Sequence, residues 1–156
     1  MNIYEIADSL KEKFSINELQ IDNNSLSITI DSIPVNIEEI ENSFLILIGM
    51  IGDPPLENRE AFANLLLDSN FAMAYSQSCL LARNPESDSY VLIDRFSIEH
   101  IDFAGFSERL EKFADSLELY NKLLENYKPA AHQAEVQSAE QKEHIIEAMQ
   151  NGFLRA

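Results

Sequence analysis

The stretch from Asn58 to Phe96 carries more apolar surface than a chain of 156 residues can readily cover by itself. Over residues 58–70 helical spacing sets Phe62, Leu65, Leu66 and Ser69 on one face. Ala61, Ala63, Leu67 and Phe71 spread over much of the rest. A helix packed on a single core needs an apolar stripe only about 100° wide, so this one is expected to have two partners. The run Tyr90 to Phe96 shows the same excess: Tyr90, Leu92 and Phe96 point one way, Val91 and Ile93 the other. With the apolar run before it and turn residues at Asn84–Asp88, it reads as a hairpin. Helix and hairpin are expected at the interface of a homodimer, with Phe62, Leu65, Leu66 and Leu92 in the contact.

Around this centre the chain alternates between two periods. Ile3, Ile6, Ala7, Leu10 and Phe14 recur at helical spacing, which predicts a helix over 2–14. Leu26–Ile30 alternates after Asn23-Asn24, and Val35–Ile37 alternates after Ser32-Ile33-Pro34, as half-buried antiparallel strands do. Phe44 to Ile51 is nearly all apolar and is expected to be a central strand covered on both faces. Asn58 is expected to cap the middle helix. Phe103, Phe106, Leu110, Phe113, Leu117, Tyr120, Leu124 and Tyr127 then step by three and four up to the break at Pro129. That stripe suits a coiled-coil seam or, with strands so close before it, a helix laid across a sheet. Residues 130–144 are rich in Ala, Gln and Glu, and Ile145, Ile146, Met149 and Phe153 follow as a short amphipathic patch. The expected class is α+β: an antiparallel sheet with helices packed on one face, in the order helix, three strands, helix, two strands, long helix. It comprises a domain over 1–127 and a C-terminal helical extension over 128–156.

Charge narrows the partners. Acidic residues outnumber basic ones 27 to 11, for a net charge of −16, and only four of the 27 lie beyond residue 127. Binding to nucleic acid or to an anionic membrane needs clustered Lys and Arg, so both are disfavoured. No apolar run reaches the length of a membrane span, and the first residues lack the pattern of a signal peptide. The expected location is the cytoplasm. Solubility is a sufficient reading of this acidity; the alternative reading is that it keeps exposed apolar grooves from self-association while attracting a basic or unfolded partner.

Residues that carry chemistry are sparse. His100, His132 and His144 have no second histidine or cysteine at metal-ligand spacing. The four glycines form no phosphate loop, and no Gly-x-Ser-x-Gly elbow is present. Cys79 lies in an apolar run and reads as a buried structural thiol. The run Glu38-Glu39-x-Glu41 lacks the loop spacing of a calcium site. Asp94 and Arg95 read as members of ion pairs. The expectation is no enzyme, no catalytic residue, no metal and no cofactor.

This order of elements in a small, very acidic chain resembles the class I type III secretion chaperones, the Tir chaperone family. The likeness is carried by 58–70 followed by Phe71, by Cys79-Leu80-Leu81-Ala82-Arg83, by Ser89 through Ile98, and by Phe106 to Leu124. It covers about residues 2–127. Two features depart from the pattern: Ser76-Gln77-Ser78 stands where glycines often precede the first hairpin strand, and 128–156 is not demanded by it. The resemblance implies a virulence-associated homodimer that needs no nucleotide. Such a protein holds an effector's N-terminal segment in extended, secretion-competent form, with side chains in grooves between the first helix and the sheet. The effector-binding residues it implies are Ile6, Leu10, Leu26, Ile28, Val35 and Ile37. Two other classes stay open on the residues alone. One is a non-enzymatic dimeric adaptor or regulatory module that binds a folded protein, and the other is a small-molecule-binding or enzymatic domain.

Overall fold

A computed structural model describes residues 2–14, 19, 21–41, 43–75 and 79–127. The chain divides into a unit Met1–Glu125 and a second, Asn126–Ala156, and the extension expected over 128–156 lies outside the described residues. The elements of the first unit are α1 (Ile3–Phe14), β1 (Ile21–Asp22), β2 (Ser25–Ile30), β3 (Ile33–Ile40), β4 (Phe44–Gly52), α2 (Arg59–Met73), β5 (Cys79–Asn84), β6 (Ser89–Ser97) and α3 (Phe103–Glu125). The strands form one antiparallel sheet in the order β1-β2-β3-β4-β6-β5. This is the expected α+β architecture, with β1 added as a sixth strand.

Two-residue loops fix the register of the first three strands. Asn23 and Asn24 (φ 48° and 62°) join β1 to β2, and Asp31 and Ser32 (φ 49° and 73°) join β2 to β3. Both loops have positive φ at both central residues, the geometry whose twist matches a hairpin. The second turn therefore falls one step earlier than Ser32-Ile33-Pro34, and Ile33 and Pro34 lie inside β3. Pro34 pairs with Thr29 beyond the last β3–β4 pair, Val35 with Gly49, so its missing N–H costs the sheet no bond.

All three helices lie on one face of the sheet. Leu26, Val35, Ile37, Leu45, Leu47, Gly49, Leu81, Leu92, Asp94 and Phe96 share that face by register and are all buried. A Cβ built on Gly49 would run into the Leu117 side chain, so α3 lies directly over β4 there. The Ile3 N–H donates to the Glu39 carboxylate at 2.9 Å, which seats the start of α1 on β3. The Asn2 carboxamide accepts from the Tyr4 and Glu5 N–H groups and the Glu5 carboxylate accepts from the Asn2 N–H, a reciprocal cap. Lys13 Nζ donates to Ser107 Oγ at 2.6 Å and ties α1 to α3. Phe62 stacks obliquely on Tyr90 at 5.5 Å, bringing the start of α2 against β6.

Asn58 occupies the cap position of α2 by its backbone alone. It is left-handed (φ 53°, ψ 39°), its side chain makes no capping bond, and its carbonyl accepts the Phe62 N–H at 3.1 Å. The helix start is held from outside instead, by Arg59 on Asp88, which also pairs with Arg83 in the β5–β6 hairpin.

Candidate functional site

Three places in the described residues have surface or chemistry to spare: a polar cavity, an uncovered apolar belt, and the half-open end of the helix-bearing face.

The cavity, of about 630 Å³, opens between α3 and the start of β5, and its lining includes Cys79, Asp94, Arg109, Lys112, Phe113 and Ser116. Asp94 lies buried in the middle of an apolar strand, where a carboxylate needs a partner. Arg109 supplies it: Nε donates to Oδ2 at 2.6 Å and Nη2 to Oδ1 at 2.7 Å. The same guanidinium sits 4.3 Å from the centre of the Phe96 ring. Both carboxylate oxygens are thus engaged. Cys79 is half-buried, and burial, reinforced by the Asp94 charge, pushes its thiol up to about 11. A thiol that weakly acidic is a poor nucleophile at neutral pH. Arg95, the neighbour of Asp94, points to the other side of the sheet over Phe44 (4.2 Å) and towards Glu41 (3.7 Å). Among the described residues no group of three His, Cys, Asp or Glu could hold a metal ion, and no helix is long and apolar enough to cross a membrane.

The belt begins on α2. Phe62, Leu66 and Met73 are buried against the chain's own sheet, whereas Leu67, Phe71 and Tyr75, on the opposite side, are 63%, 70% and 81% exposed. The Phe71 and Tyr75 rings meet edge to face at 5.5 Å. The belt resumes on the sheet face away from the helices. There Ile46, Ile48 and Met50 of β4 lie beside Val91 and Ile93 of β6, and these beside Leu80 and Ala82 of β5. Met50 and Leu80 are about half exposed. Among the described residues the cover expected on both faces of β4 is supplied on the helix side, while on the other face Met50 stays exposed. The expected contact residues divide by exposure. Phe62, Leu66 and Leu92 are covered within the chain because they face its own core, and of the four expected residues only Leu65 presents surface.

The third place revises the expected groove in the same way. Ile6, Leu10, Leu26, Val35 and Ile37 are all at most 2% exposed, because α1 and α3 close over them. Ile28 is half-buried, as are its neighbours Ile30 and Ile33 on the same face. Beside them, among the described residues, β2 is a sheet edge for most of its length, since β1 pairs with Ser25 and Leu26 only. Sequence reasoning missed Ile30 and Ile33, whose signal was their place at the tip of the alternating hairpin. It also missed Tyr75, which continues the step of four from Leu67 and Phe71.

The sequence model of the Tir chaperone protein (CesT) family matches residues 5–120. No curated protein matches the chain. Among solved structures it is similar to one of the ExsC–ExsE complex (14% identity, TM-score 0.68, covering 80% of this chain and 97% of that one). It is similar to the HopA1–SchA chaperone–effector complex (14%, 0.64, 77% and 94%). A third is the ExoT–SpcS complex from Pseudomonas aeruginosa (22%, 0.55, 76% and 97%). At these identities the likeness is one of fold.

Proposed function

The chain belongs to the Tir chaperone protein (CesT) family, and from that premise we propose that it is a type III secretion chaperone. It binds the N-terminal segment of one or more effector proteins in extended form and keeps them soluble and competent for secretion. It acts in the cytoplasm as a homodimer and performs no catalysis of its own. The observation that carries this reading, beside the family, is the open end of the helix-bearing face. A half-covered apolar patch of Ile28, Ile30 and Ile33 adjoins a sheet edge at Ser27 and Thr29.

An extended polypeptide suits that pair of features. Its backbone would add to the edge, and every second side chain would fall on the face that holds the isoleucines. A disordered segment loses ordering entropy on binding and must bury a wide apolar surface to offset it. The uncovered belt supplies the dimer contact: Leu67, Phe71 and Tyr75 of α2 with Leu80 and Ile93 of the hairpin. Relatives solved as chaperone–effector complexes support the partner class. The poorly acidic Cys79 and the fully engaged Asp94 support the non-enzymatic reading.

The test is purification from the organism that makes the protein, with identification of the bound polypeptide. Its isolated N-terminal segment should then rebind without nucleotide and lose affinity for an Ile28→Glu variant that keeps its fold. A segment that fails to rebind, or that binds the variant equally well, contradicts the proposal.

A further inference from the structure

The sheet has two edges, and the chain treats them differently. In an antiparallel pair, residues alternate between turning both N–H and C=O towards the neighbour and turning both away. The closing pair of the β2–β3 hairpin is Ile30–Ile33, so Ile28 and Ile30 bond to β3, while Ser27 and Thr29 turn their backbone groups outward. In the β5–β6 hairpin the closing pair is Asn84–Ser89, so Cys79, Leu81 and Arg83 are the outward residues of β5. At the middle of these three the edge is occupied by a side chain. Leu81 N–H donates to Asn70 Oδ1 at 2.6 Å, and Asn70 Nδ2 donates to the Leu81 carbonyl at 2.9 Å. One carboxamide thus makes both bonds that an added strand would make with Leu81.

Asn70 is an odd residue for its place. It stands in the last part of an apolar helix, where asparagine is a poorer helix former than the residues around it. Its own backbone carbonyl accepts the Ala74 N–H at 3.0 Å, so the helix bond is kept while the side chain leaves the helix for the strand. Exposed edges are templates for unwanted pairing, and proteins blunt them. An edge rich in apolar side chains, as β5 is with Leu80, Leu81 and Ala82, has the greatest need of it.

We propose that Asn70 is an edge guard: by holding both backbone groups of Leu81 it closes β5 to strand addition and leaves the β2 edge at Ser27 and Thr29 as the one open, among the described residues, to an extended polypeptide. The direction to β2 rests on the chaperone reading; the closing of β5 does not. The test therefore uses the full chain alone, with sedimentation over a range of concentrations and residue-resolved amide exchange.

Asn70→Ala frees Leu81. The expected result is faster exchange of its amide at low concentration and species above the wild-type mass that grow with concentration. Asn70→Asp keeps an acceptor for the Leu81 N–H but sets a charge on the edge, which opposes an incoming strand. It should loosen the helix end yet retain the wild-type mass. If Asn70→Ala does not fold, Asn70→Ser, which keeps one bond, takes its place with the same two readings. An alanine or serine variant of unchanged mass would show the contact to be a clip for α2 only. An aspartate variant that assembles as readily as the alanine one would overturn the guard equally.

Discussion

The helices α2 and α3 lie on the same sheet face and are built to opposite rules. Along α3 the residues that step by three and four, Phe106, Leu110, Phe113 and Leu117, are all buried, and the outer side is mostly charged, with Leu119 and Leu123 as its exposed apolar residues. Along α2 only Phe62, Leu66 and Met73 are buried, and the far side carries Leu67, Phe71 and Tyr75 in the open. One helix is finished for the most part by its own chain. The other is apolar nearly all round and is finished only by something else. The difference teaches that the width of an apolar stripe, not its strength, marks an interface.

The contrast can be broken from either side. On α3, Arg109→Ala leaves the Asp94 carboxylate buried without its partner, a change that costs about 3–5 kcal/mol. The expected outcome is a melting temperature lower by about 10 °C or more. An unchanged transition in calorimetry would show that α3 is not held as described. On α2, Phe71→Asp is expected to leave the circular dichroism spectrum intact while sedimentation gives half the wild-type mass. Truncating a central aromatic of an interface costs about 2 kcal/mol or more in binding, and a charge adds to that. A folded variant of unchanged mass would place the dimer contact elsewhere.

The smallest effect concerns the clip at the start of α2. Hydrogen bonds from Arg59 and then Arg83 hold the Asp88 carboxyl below its ordinary value of 3.8. A carboxyl lowered in the folded state stabilises it above the unfolded value and loses that contribution as pH falls through the folded one. Asp88→Asn is therefore expected to lower the melting temperature slightly at pH 7, with the gap to wild type closing below pH 3.8. A gap that persists or widens in acid would show that the carboxylate charge is not what matters.

Much of the fold was legible because its signals are local. Alternation marked β2 and β3, a step of three and four marked α3, and Asn23-Asn24 marked a turn. The strand β1 was not legible, since two residues, Ile21 and Asp22, are too few for any periodicity. What separates core from groove was illegible for a different reason. Leu26 and Ile28 are the same in pattern and share one face. Leu26 is buried and Ile28 half-open, a difference set by the packing of distant elements and not by the strand's own pattern. In the same way, an aspartate inside an apolar strand announces that a partner exists, but nothing local to Asp94 points to Arg109 on the next helix. The excess of apolar surface on α2 was visible from the start. Which of its residues stay outside depends on how the helix rotates against β5 and β6, and that is set by Phe62 on Tyr90 and Asn70 on Leu81.

The central claim is that this chain folds an extended effector segment onto an open edge and apolar patch. Calorimetric titration of the protein with the N-terminal segment of its effector, several tens of residues long, at a series of temperatures tests it most directly. Ordering such a segment on an apolar surface buries on the order of 1,000–3,000 Å² and gives a large negative heat-capacity change. The account predicts that change, reduced for Ile28→Glu and unaltered by nucleotide. A heat-capacity change near zero, or equal heats for wild type and variant, would contradict it.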